Sequence, residues 1–91
     1  MSLAETKTFD GLDVTDPELT GEALYNLGIQ YSTGQGVDLD YIEAHKYFNL
    51  AALKGNDEAR SWRSQLAEEM TPAQVAEAQR QARAWLQNRP E

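Results

Sequence analysis

The sequence predicts an all-α protein, an α/α hairpin solenoid of about two helix pairs forming a right-handed superhelix, and three observations predict it. No segment alternates apolar and polar residues with the period of two that a half-buried strand requires. Four segments open on capping residues and carry apolar stripes at helical spacing. The first of these sets Ala23, Leu24, Leu27, Gly28 and Tyr31 on one face and then meets a Gly34-Gln35-Gly36-Val37 turn. A glycine inside such a stripe lets a second helix come close. A helix folded straight back onto a partner is the unit that solenoids stack, and solenoids mostly bind other proteins.

The first helix follows Thr20 as N-cap, runs from about Gly21 to Thr33, and stops at Gly34 in the left-handed conformation. The second begins after Asp40, with Glu43 placed to complete a capping box, and ends at Lys54-Gly55. The third starts after Asn56, with Asp57 and Glu58 complementing its dipole, and continues to about Met70. The fourth opens at Thr71-Pro72, where Thr71 caps, Pro72 takes the first turn and Gln74 closes a box. It extends to about Asn88.

The stripes of the later helices alternate large and small side chains, as close helix pairing needs. The second helix carries Ala44, Tyr47, Phe48, Ala51 and Ala52, and the third Ala59, Trp62, Leu66 and Met70. The fourth carries Val75, Ala78, Ala82, Trp85 and Leu86. Aromatic residues at this spacing belong to a core, so both tryptophans are expected there. The pattern also repeats: Thr20-Gly21-Glu22-Ala23 is echoed by Asn56-Asp57-Glu58-Ala59, and Ala44, Tyr47 and Phe48 by Ala82, Trp85 and Leu86. The second copy lacks the glycine stripe and the glycine turn, as expected of a terminal unit whose outer face meets water.

Composition narrows the function. The net charge of −7 is unevenly spread: residues 1–22 hold six acids against Lys7 alone, a balance of −5. Residues 1–19 therefore read as an acidic, poorly ordered leader. Acidity of this kind repels phosphate backbones, so nucleic acid is not an expected partner. No apolar run approaches a membrane span or a signal-peptide core, which leaves no expected membrane partner and a cytoplasmic setting. The absence of cysteine removes disulfides and thiolate chemistry.

The remaining chemical candidates give no catalytic residue, metal ligand or cofactor. His45 is the sole histidine; its helical neighbours Tyr41, Phe48 and Asn49 supply no carboxylate, and it reads as a helix-flank residue. Gly34-Gln35-Gly36 follows a helix rather than a strand and has no lysine placed for phosphate. Asp38-x-Asp40-x-x-Glu43 lacks the mid-loop glycine and distal glutamate of a calcium loop. Arg60, Arg63, Arg80, Arg83 and Arg89 are interspersed with acids, as on a solvated helix face.

These residues resemble the Sel-1-like repeats, relatives of the tetratricopeptide repeats. The first half of that pattern is matched by Ala23, Leu27, Gly28, Tyr31, Gly34, Gly36, Val37 and Asp40. The second half is matched by Ala44, Tyr47, Phe48, Ala51, Ala52 and Gly55. Met70 to Gln79, followed by Trp85, is similar to the closing segment of many bacterial members. The resemblance spans about Thr20 to Leu86 and implies an intact repeat over 20–55 and a degenerate capping repeat over 56–89. It also implies an adaptor or scaffold rather than a catalyst, with the first helix of each pair lining the concave surface.

With the glycine stripe facing inward, the opposite side of the first helix carries Asn26, Ile29, Gln30 and Thr33, with Tyr25 on its flank. These five are the expected protein-binding residues, contacting a protein or peptide partner. A solenoid needs about three repeats to cover its units, so either the leader, through Phe9, Leu12, Val14 and Leu19, folds over the open face or a second copy does. Self-association through the first and second helices, giving a homodimer, is the further expectation. The alternative function is a structural or regulatory subunit that acts by such self-association or by occluding a partner enzyme.

Overall fold

The structure, a computed structural model, describes residues 19–87; residues 1–18 of the leader and residues 88–91, with Arg89, lie outside the described residues. Leu19, the last residue of the expected leader, is buried in the core, and its carbonyl accepts from Lys54 Nζ. The fold consists of α1 (Gly21–Thr33), α2 (Tyr41–Leu53), α3 (Asp57–Glu68) and α4 (Pro72–Gln87). The expected all-α fold of two successive helix pairs is observed, with no strand among the described residues. None of the described helices is long and apolar enough to cross a membrane.

Local chemistry sets the boundaries. Thr20 Oγ1 accepts from the Ala23 N–H at 3.1 Å. Gly34, at φ 78°, turns the chain so that its own N–H and that of Gln35 both donate to the Gln30 carbonyl. The loop closes when the Asp40 N–H donates to the Tyr31 carbonyl at 2.9 Å. Asp40 Oδ1 then accepts from the Ile42 and Glu43 N–H groups. The capping box expected of Glu43 does not form: the Asp40 N–H is already committed to Tyr31, and the Glu43 carboxylate pairs with Lys46 at 2.8 Å. The box at α4 does form, reciprocally, with Gln74 N–H donating to Thr71 Oγ1 and Thr71 N–H to Gln74 Oε1. Asn56 caps α3 through Ala59. That helix ends at Glu68, short of Met70, which is buried in the turn beyond it.

The pairing of α1 with α2 rests on Gly28. A Cβ on this residue would stand 2.5 Å from two carbons of the Phe48 ring, well inside van der Waals contact. Leu24 and Phe48 are completely buried nearby, and each such side chain contributes about 1.5–3 kcal/mol of transfer free energy.

Helix α2 is the centre of the molecule. Each of the other three packs on it, while α3 and α4 scarcely touch one another. Burial consequently extends around most of α2, from Ala44 and His45 through Tyr47, Phe48, Leu50, Ala51 and Ala52. This corrects the expectation for His45, which is only 2% exposed and so no flank residue. A second correction concerns Trp62, expected in the core and found 42% exposed. Its outer side meets water because α4 docks on α2 and leaves α3 without a neighbour there.

Candidate functional site

Two aromatic series cross α2. On one side Tyr31 of α1 stacks on Tyr47 at 5.6 Å between ring centroids, and Trp85 of α4 meets Tyr47 edge-on at 5.5 Å. The Lys46 ammonium sits 4.8 Å from the Tyr47 ring centre and 5.1 Å from that of Trp85, which closes the series with a cation–π contact. On the other side Tyr25 leans on Phe48 at 6.0 Å, and Phe48 stacks in parallel offset with Trp62 of α3 at 6.3 Å. Among the described residues no cation–π contact closes this second series at Trp62.

What remains open is a cleft of about 220 Å³ between the C-terminal ends of α1 and α3. Ser32 and Thr33 line it from α1, Tyr41 and Phe48 from α2, and Trp62, Gln65 and Leu66 from α3, with Glu69 just beyond that helix. Phe48 forms the floor and Leu66 is buried, whereas Thr33, Trp62, Gln65 and Glu69 are exposed at the mouth. The Ser32 and Thr33 hydroxyls both donate to the Ile29 carbonyl, at 3.0 and 2.8 Å.

The five residues singled out from the sequence divide around this cleft. Thr33 lies in it. Ile29, expected on the outward side of α1, and Tyr25, expected on its flank, are half-buried and packed against the core. Tyr25 is held there by the Phe48 ring of α2, the helix on which α1 mainly packs. Asn26 is exposed. Gln30 is half-buried, and its Oε1 is shielded from solvent without a hydrogen-bond partner. Tyr41, Trp62, Gln65 and Glu69 were missed by sequence reasoning. The one available signal was the narrowness of the α3 stripe, since Asp57–Glu68 has only Ala59, Trp62, Leu66 and Ala67 as apolar residues.

Beside the cleft, Arg63 of α3 donates to Asn49 Oδ1 at 2.7 Å. Burial holds the His45 imidazole below its usual pKa, and the nearby Arg63 charge lowers it further. Its Nδ1 is buried without a partner. No three histidine or acidic side chains group closely enough among the described residues to hold a metal ion.

The fold and the open cleft define an α/α hairpin repeat protein. Residues 21–56 match the family model for the Sel1 repeat, a stretch that takes in α1, the glycine turn and α2. Repeats of this type point to protein–protein interaction. Neither the curated proteins nor the solved structures give a match to the chain.

Proposed function

We propose that the protein is a non-catalytic adaptor that receives a peptide segment of a partner protein in the cleft between α1 and α3. The observation that carries this reading is the exposure of Trp62 above the buried Phe48 ring. A large aromatic side chain held at the mouth of a depression, with amide, hydroxyl and carboxylate groups around it, has the composition of a binding hot spot. A volume of about 220 Å³ suits one bulky side chain rather than a small-molecule substrate, whose pockets begin near 300 Å³. The Sel1-like repeat supports the same class of function.

A photo-crosslinking residue at Gln65, introduced in the native cell, tests the reading. A discrete protein adduct that disappears in Trp62→Ala, with helicity unchanged, is the expected result. An adduct pattern identical with and without Trp62 would overturn it.

A further inference from the structure

The charge of the cleft is one-sided. Phe48, Trp62 and Leu66 give it an apolar part, and Tyr41, Gln65 and the Trp62 indole N–H offer neutral hydrogen-bonding groups. Among the described residues Glu69 is the one charged residue that lines it. The hydrogens of Ser32 and Thr33 are used on the Ile29 carbonyl, so what these side chains have left to offer is lone pairs. No lysine or arginine lines the cleft. The Glu69 carboxylate has no ion pair among the described residues. Glu77 is the contrast: hydrogen bonds from Arg80 and then Gln81 hold its carboxyl down to about 2. Glu68 and Asp38, also exposed, are likewise without an ion pair among the described residues.

We infer that the occupant of the cleft is a basic–apolar peptide segment, in which one bulky apolar side chain rests over Phe48 and Trp62 and a lysine or arginine beside it faces Glu69. This rests on the adaptor reading above and adds the chemistry of the partner. The same electrostatics disfavour the occupants the chain itself could supply. Residues 1–18 bring five acids against one lysine, and residues 88–91 (Asn-Arg-Pro-Glu) bring no bulky apolar side chain. A second copy adds another −7 to the first. A cationic segment is the one that gains on approach and on docking.

A random-peptide phage library panned in parallel on the full chain, on Trp62→Ala and on Glu69→Lys tests the inference. Glu69 is exposed at the C-terminal end of α3, where a cation suits the helix dipole, so its substitution leaves the fold intact. The full chain is expected to enrich sequences with Phe, Trp, Leu or Met next to Lys or Arg. Exchanging that basic residue for Glu in the best synthetic peptide should weaken binding about three- to tenfold at low ionic strength. Glu69→Lys should remove or reverse the preference. Peptides that lose binding in Trp62→Ala yet carry no basic preference, or keep it in Glu69→Lys, would overturn the charge inference alone. No enrichment, or equal binding to Trp62→Ala and to Gln65→Arg, a rim variant that spares the core, would overturn the cleft as well. Displacement of the best peptide by a synthetic peptide of residues 1–18 would assign the cleft to the leader and also overturn the inference.

Discussion

The two aromatic series that flank α2 are built alike and finished differently. Tyr47 and Phe48 are neighbours in the sequence, and each joins a tyrosine of α1 to a tryptophan of a later helix. On the Tyr47 side, α4 lies against α2 through Ala78 and Ala82, and Lys46 clamps the end at Trp85. On the Phe48 side the last ring, Trp62, has no further helix over it among the described residues and remains 42% exposed. Similar aromatic series thus serve cohesion where the fourth helix covers them and, in the adaptor reading proposed above, recognition on the other side.

Substitutions along the two series should separate these roles. The largest loss is expected at the shared centre: Phe48→Ala removes a fully buried ring and should cost about 3–5 kcal/mol in denaturant unfolding, enough to threaten a domain of this size. Gly28→Ala should follow. It gains about 1 kcal/mol in helix propensity but drives a methyl into Phe48, with a net loss of about 1–2 kcal/mol. Between the tryptophans, Trp85→Ala should cost about 2–3 kcal/mol and Trp62→Ala about 1 kcal/mol or less, because much of the Trp62 ring already meets water. Equal costs in thermal or denaturant unfolding would remove the distinction between a closed and an open side.

The smallest expected effect is one of pH. His45 is held below its usual pKa of about 6.5 in the folded chain, so the fold favours its neutral form. Its stabilising contribution is complete above that value and is lost as pH falls toward the lowered folded pKa, when a second cation must be placed beside Arg63. The denaturant midpoint should therefore drop between about pH 7 and pH 5, and His45→Leu should show a shallower drop. An identical slope in the variant would place the titration elsewhere.

The helices were legible because their ends are governed by local chemistry: Thr20, Asp40, Asn56 and Thr71 cap where their side chains suggest. The glycine stripe was legible because only a close neighbour explains Gly28. The cleft was half legible. Helical periodicity tells which residues share a face, and so placed Trp62 in line with Ala59 and Leu66. It does not tell whether a further helix covers that face. Trp62 is open because α4 lands on α2 rather than on α3, a tertiary choice that no single stripe encodes. The same limit applies to Ile29, expected on the outward side, and to Tyr25 on its flank, both of which pack against the core.

The open side is tested most directly by the fluorescence of Trp85→Phe, in which Trp62 is the only tryptophan, titrated with a basic–apolar peptide selected on the full chain. A saturable blue shift of Trp62 emission, with loss of acrylamide quenching, is expected as the peptide side chain settles over the ring. Saturable binding, seen by anisotropy of the labelled peptide, with Trp62 emission and quenching unchanged would contradict it.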